Sequence, residues 1–216
     1  MEPYKQQFID LLVRHEVLRF GDFTLKSGRR SPYFINAGQL RTGAAIAGLG
    51  EAYAARLQGE GLAADLLFGP SYKGVPLAVA TAIAVARAGS DIAFCFDRKE
   101  AKDHGEGGVF VGTTPWAGAR VVIVDDVITS GKSIHESVAL LRKAADVAFA
   151  GVIVAVDRQE RGRGSKSTLA ELQEELGAPV RPIVTIREIA AYLHGRVIDD
   201  ARLAAIEGYL AEHGAA

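Results

Sequence analysis

Residues 121–134 read VVIVDDVITSGKSI. Val121 to Val124 are four consecutive branched aliphatic residues with no polar side to turn to water. A strand of that kind is buried on both faces, as in a parallel sheet covered by helices above and below. Two carboxylates, Asp125 and Asp126, stand at its tip. Small and polar residues follow, and Ser133 to Ala144 then spaces its apolar residues as an amphipathic helix does. In open sheets of this class, ligands bind beyond the carboxyl ends of the strands. The turn between Asp125 and Ser133 is therefore the first place to look for chemistry.

The same rhythm runs outward from this stretch. Leu66 to Phe68, Ile92 to Phe96, Gly151 to Val156 and Val180 to Ile186 are further strand candidates. Val75 to Ala88 and Leu169 to Leu176 read as helices between them, and the chain after Ile186 reads as helical. Alternating strands and helices predict an α/β domain with a mainly parallel central sheet flanked by helices. Upstream, Thr42 can cap an alanine-rich helix running to about Gln58. Tyr4 to Arg19 carries Phe8, Leu11, Leu12 and Leu18 at helical spacings. The intervening GDFTLKSGRRSPYFINAG mixes turn residues with aromatics, which suggests ordered loops or short strands. The residues of chemical interest follow the strands, in the segments 70–74, 97–108, 125–133 and 157–164.

Bulk properties narrow the class. The chain has 216 residues, 49% of them hydrophobic, and a formal net charge of −1. That length suits one domain with a sizeable core. The balanced charge gives no field favouring nucleic acid or an anionic membrane. MEPYKQQFID lacks the basic and then apolar pattern of a signal peptide. Apolar runs are interrupted well short of the roughly 18 residues a membrane span needs. The single cysteine, Cys95, sits inside an apolar run and has no internal disulfide partner. A cytoplasmic protein with a buried, inert thiol is the expectation.

Gly131-Lys132-Ser133 invites a nucleotide-triphosphate loop. That loop requires glycine six residues before its lysine, and Asp126 occupies the position. A carboxylate there would repel the polyphosphate. On its own terms, the stretch offers free amides and a helix dipole to an anion. Asp125 and Asp126 offer acceptors to vicinal hydroxyls, or reach a divalent cation through water. Phosphate at the helix start and hydroxyls at the strand tip together describe a ribose 5-phosphate. The plain alternative is a helix N-terminus beside two solvated acids.

The stretch resembles the phosphoribosyl-pyrophosphate (PRPP) motif of type I phosphoribosyltransferases. FTLKSGRRSPYF (23–34), FGPSYKG (68–74), RKEAKDHGEGG (98–108) and DRQERGRG (157–164) extend the resemblance to the bacterial orotate phosphoribosyltransferases over nearly the whole chain. The resemblance implies a type I phosphoribosyltransferase fold spanning 1–216, with a small N-terminal hood at 1–40 and a mobile catalytic loop at 97–110. It implies transfer of the phosphoribosyl group of PRPP to orotate, with magnesium, by a homodimer. In that family the loop at 98–108 works in trans, reaching the neighbouring subunit's site.

Residue by residue, the resemblance places Lys26, Tyr72, Lys73, Arg98, Lys99, Lys102 and His104 toward PRPP and its pyrophosphate. Asp125, Asp126, Val127, Ile128, Thr129, Ser130, Gly131, Lys132 and Ser133 hold its ribose phosphate. Lys26, Phe34, Ile35, Thr129 and Arg158 face orotate. Lys102, His104, Asp125 and Asp126 are the catalytic candidates, and magnesium comes with PRPP, reached by Asp125 and Asp126 only through water. Each residue type suits its task. Lysine is a compact charge for phosphate oxygens, and arginine is a planar fork for a carboxylate. Phe34 and Ile35 can supply an apolar face and amides to a flat pyrimidine. A tight loop at 70–74 must turn its amides toward pyrophosphate, so a cis or strained peptide is expected there.

Ordinary alternatives remain beside these readings. The 98–108 loop can be a solvated surface, Phe34 core, Lys73 an exposed turn residue, and Arg158 a partner of Asp157 or Glu160. His104 has no second His or Cys at metal-ligand spacing. Lys132 departs from the family pattern, where a small residue is common. Two rivals share the fold: a PRPP-sensing gene regulator, disfavoured by the balanced charge, and a phosphoribosyltransferase for a purine base, disfavoured by the segment around Lys26 and Phe34.

Overall fold

The computed structural model describes residues 1–25, 28–98, 108–128, 131–162 and 164–215. Helix α1 (Pro3–Arg14) leads into a two-stranded antiparallel hairpin, β1 (Leu18–Thr24) and β2 (Arg30–Ile35). Helix α2 (Gly43–Gly59) precedes the main sheet. There follow β3 (Leu66–Gly69), α3 (Gly74–Arg87), β4 (Ala93–Asp97), β5 (Phe110–Gly112) and β6 (Arg120–Asp125). Then come α4 (Lys132–Ala144), β7 (Ala148–Asp157), α5 (Thr168–Leu176), β8 (Val180–Thr185), α6 (Ile186–Leu193) and α7 (Asp200–His213).

The six strands lie in the order β5-β4-β3-β6-β7-β8, all parallel except the edge pair β4–β5. Alternation along β6 divides the core. Val122 and Val124 join one cluster with residues of α1, α2, α3 and α6, whereas Val121 and Ile123 join another with Ile134, Val138 and Leu141 of α4 and Leu169 and Leu172 of α5. Both faces of β6 are covered, which is why its sequence shows no polar side. Cys95 is buried inside β4, and burial pushes its thiol up to about 12, so it stays protonated and unreactive.

Most sequence expectations fall within a residue or two of these bounds. Thr42 does cap α2, accepting a hydrogen bond from the Ala45 amide at 3.2 Å. The first helix is shorter than its spacing suggests. It ends at Arg14, Glu16 turns the chain with φ 54°, and Leu18 begins β1. Leu18 is buried in the same core as Phe8 and Leu12, so shared burial imitated a helical period. The strand expected to reach Ile186 stops at Thr185, where a capping box opens α6. Thr185 Oγ1 accepts from the Glu188 amide, and the Glu188 carboxylate accepts from the Thr185 amide. No sequence pattern marks β5, because three residues at a sheet edge carry too little of one.

Candidate active site

The sheet order sets four strand ends side by side: Asp97 ending β4, the 70–73 turn after β3, Asp125 ending β6 with Asp126 next, and Asp157 ending β7. Beyond them lies a cavity of about 740 Å³. Its walls include Phe34, Ile35, Lys73, Asp126, Val127, Ile128 and Arg158. Seven of the residues singled out from sequence thus meet in one space, from segments as far apart as 34 and 158.

The carboxylate end is tightly organised. Asp125 is buried; its Oδ1 accepts from the Asp126 amide at 2.9 Å and its Oδ2 from Ser133 Oγ at 2.8 Å. Burial raises the Asp125 carboxyl above the ordinary carboxylate value, against the lowering effect of the Ser133 bond. Its backbone carbonyl accepts from Tyr53 Oη at 2.7 Å. Strand β3 pairs with β6 only as far as Ile123, so no strand neighbour on that side reaches Asp125. The fully buried Tyr53 replaces the missing ladder bond. Asp126 faces the cavity, and its Oδ2 accepts from Lys73 Nζ at 2.6 Å.

Two glycines make the Lys73 turn possible. A Cβ on Gly69 would sit 2.1 Å from the Gly74 carbonyl oxygen, and one on Gly74 would sit 2.5 Å from Pro70 Cδ. Backbone lies directly on backbone there, and only glycine permits it. The Ser71–Tyr72 peptide is cis, as the tight turn suggested. Asp97 holds the turn: its Oδ1 accepts from the Ser71 amide at 2.7 Å, and its carbonyl accepts from Ser71 Oγ. Across the site, Gly131 adopts φ 74° and opens α4. The amides of that first helical turn have no carbonyl partner within the helix.

At the opposite end, Phe34 stacks on Phe23 with centroids 5.6 Å apart. Arg158 lies over the Tyr33 ring at 4.5 Å. Its Nε and Nη2 donate to Glu160 Oε1 at 2.8 and 2.6 Å. Burial works against the Arg158 charge, but Tyr33 and Glu160 outweigh it and raise its pKa. The pairing with Glu160 was the ordinary alternative for Arg158, and here it coexists with a place on the cavity wall. Asp157 also lines the cavity; burial raises its carboxyl, opposed by the bond it accepts from the Gln159 amide at 2.7 Å.

Other expected residues stand further out. Tyr72, Arg98, Asp125, Gly131, Lys132 and Ser133 are not among the described residues lining the cavity. Tyr72 is exposed, and Lys132 points to solvent, with Nζ 3.7 Å from Glu136 Oε1. Lys26, Lys99, Lys102, His104, Thr129 and Ser130 lie outside the described residues. Sequence reasoning gave no site role to Tyr53, Asp97, Asp157, Glu160 and Tyr209. Asp97 and Asp157 carry a signal as acids closing apolar strands, and Glu160 as a charge two residues from Arg158.

Among the described residues no group of three or more His, Cys, Asp or Glu could hold a metal ion alone. Adjacent carboxylates, one facing the cavity, fit a hard cation brought by substrate phosphates and met through water.

The phosphoribosyl transferase domain family matches residues 36–182. Orotate phosphoribosyltransferase of Methylococcus capsulatus is 52% identical over 219 aligned positions, covering 100% of both chains. That of Salmonella paratyphi A is 48% identical, covering 99% of this chain and 100% of the relative. The crystal structure of orotate phosphoribosyltransferase from Francisella tularensis superposes with a TM-score of 0.85 at 35% identity, over 96% of this chain and 99% of that one. With sheet, cavity and full-length similarity in agreement, the chain belongs to the phosphoribosyltransferases, and among them to the orotate phosphoribosyltransferase family.

Proposed function

We propose that the cavity beyond β3, β6 and β7 is where this enzyme transfers the phosphoribosyl group of PRPP to orotate, giving orotidine 5′-monophosphate and pyrophosphate in pyrimidine biosynthesis. One observation carries the assignment: Asp126, Lys73, Phe34 and Arg158 line one space of substrate size.

The reaction breaks the bond between the anomeric carbon and a pyrophosphate oxygen, and forms one to N1 of orotate. Positive charge grows on the ribose ring and negative charge on the leaving group. Asp125 and Asp126 accept hydrogen bonds from the ribose hydroxyls and place negative potential beside the ring. The amides of residues 129–133 and the dipole of α4 hold the 5-phosphate. Lys73 exchanges its bond to Asp126 for pyrophosphate oxygens. Magnesium carried by PRPP neutralises phosphate charge when bound. Phe34 and Ile35 cover the flat base. Glu160 occupies the Nε–Nη2 edge of Arg158, so the orotate carboxylate meets the Nη1 side of the fork. Orotate supplies N1 already anionic, or readily made so, and no general base is required.

Lys26, Thr129, Arg98, Lys99, Lys102 and His104 complete the site by family resemblance. The loop at 98–108 then serves pyrophosphate in a partner subunit's site, and the hood is residues 1–40. A homodimer has support in the apolar furrow between α2 and α3, lined by Ile46, Val79 and Ile83. Ile83 is 49% exposed in a single copy. Among the described residues no helix is long and apolar enough to cross a membrane, and we place the enzyme in the cytoplasm.

The test is orotate consumption, followed by ultraviolet absorbance, with adenine, hypoxanthine and uracil as parallel bases. Turnover of orotate alone, and only with both PRPP and magnesium, is expected. Turnover of a purine, or of none of these bases while PRPP still binds, would overturn the base assignment.

A further inference from the structure

We infer that Glu160 and Tyr209 are positioning residues for the base end of the site, so that α7 helps to fix the arginine that meets orotate. The inference rests on the assignment of Arg158 proposed above. It starts from the turn after β7. Gln159 adopts φ 53°, rare for a residue with a Cβ, and the Asp157 carboxylate accepts its amide. That turn places Arg158 and Glu160 so that one carboxylate oxygen receives two guanidinium N–H groups. The same oxygen, Glu160 Oε1, accepts from Tyr209 Oη at 2.8 Å. Tyr209 stands on α7, packed edge-on against Tyr33 with centroids 5.8 Å apart. Tyr33 in turn lies beneath the Arg158 guanidinium.

The segment after Tyr209 fastens the same turn through its backbone. The Arg161 amide donates to the His213 carbonyl at 3.0 Å, and the Ala215 amide donates to the Gln159 carbonyl at 2.9 Å. Arg158 therefore has its charge, its ring platform and its supporting turn set by its neighbours, of which Tyr33 and Tyr209 stand outside the cavity wall and Glu160 on it. A long, rotamer-rich arginine held this way loses little freedom on meeting a planar anion. Glu160 costs something as well: it sets a negative charge near the orotate carboxylate. Arg29 Nη1, 3.4 Å from Glu160 Oε2, offsets part of that.

The experiment compares KM for orotate, KM for PRPP and kcat in Tyr209→Phe, Glu160→Gln, Arg158→Lys and the double variant Tyr209→Phe/Arg158→Lys. Tyr209→Phe keeps the ring against Tyr33 and removes only the hydroxyl. Its orotate KM is expected to rise by roughly fivefold to tenfold, the scale of one ordinary net hydrogen bond. Its PRPP KM should stay unchanged and its kcat within about twofold. Glu160→Gln should raise orotate KM at least as much. In the Arg158→Lys background, Tyr209→Phe should add little, because the hydroxyl acts through the arginine. If Arg158→Lys leaves orotate KM unchanged, the base-end reading fails and this inference with it. If Arg158→Lys raises it while Tyr209→Phe does not, or Tyr209→Phe raises PRPP KM equally, the base-end reading stands and the positioning role is overturned. Should Glu160→Gln not fold, Tyr209→Phe decides alone.

Discussion

The two ends of the cavity are built differently. The carboxylate end comes from one continuous piece of chain: β6, Asp125 and Asp126, and the start of α4 at Lys132. Ser133 Oγ bonds Asp125 across only eight positions, and onto this local frame Lys73 and Tyr53 are added from 53 and 72 positions away. The end we assign to the base is assembled from β2, the turn after β7 and α7. There Tyr209 reaches Glu160 across 49 positions, and Arg158 lies near Ser31 across 127. A site cut from one stretch can be shaped by short-range geometry. A site assembled from three depends on the whole fold being in place. Substitutions at the first end should therefore damage PRPP use selectively, and those at the second should damage orotate use.

The largest effect belongs to Asp126→Asn. It removes the carboxylate that faces the cavity and pairs with Lys73. kcat/KM for PRPP should fall by roughly a hundredfold or more, with orotate binding preserved. Full activity would remove Asp126 from the site and erase the distinction between the ends.

Asp125→Asn sharpens the comparison by separating activity from stability. Burial raises the Asp125 pKa in the folded state. A raised acid binds its proton more tightly folded than unfolded, so its ionised form opposes folding above the folded pKa. That opposition fades as pH falls from the folded pKa to the unfolded one, and is gone below the latter. The variant should thus lose PRPP turnover yet melt no lower than the parent at neutral pH. The parent should gain on it as pH falls through the carboxylate range. A clearly lower melting temperature for the variant at neutral pH would contradict this reading.

Phe34→Ala tests the other end. Losing a stacking face is worth about 1–3 kcal/mol per base, so orotate KM should rise about tenfold while PRPP KM holds. An equal rise in both would show that Phe34 is core supporting the whole cavity. Lys132→Ala should have the smallest effect, because the side chain is 79% exposed and only its amide is asked to serve. A PRPP affinity loss above roughly a hundredfold, about 2.7 kcal/mol, would show the lysine itself at the phosphate.

The same division explains what could be read from the sequence. Residues 121–134 announced the strand, the acids and the helix start because each is a local pattern: an aliphatic run, two adjacent charges and a small-residue turn. Thr42 as a cap was legible for the same reason. The pairing of Lys73 with Asp126 spans 53 positions, and nothing in either segment alone specifies it. Glu160 could be named as a partner for Arg158 because it is two residues away, but its second bond, to Tyr209, depends on where α7 docks. Tyr53 was hidden altogether. An aromatic in the middle of an alanine-rich helix reads as core, and it is core, with one hydroxyl reaching the strand that holds Asp125.

One crystal structure with orotidine 5′-monophosphate would test the account most directly, since that nucleotide spans both ends. The phosphate should rest on the amides that open α4, with the ribose hydroxyls toward Asp125 and Asp126. The base should lie against Phe34 and Ile35, its carboxylate beside Arg158. A phosphate bound away from residues 129–133, or a base turned away from Arg158, would contradict it.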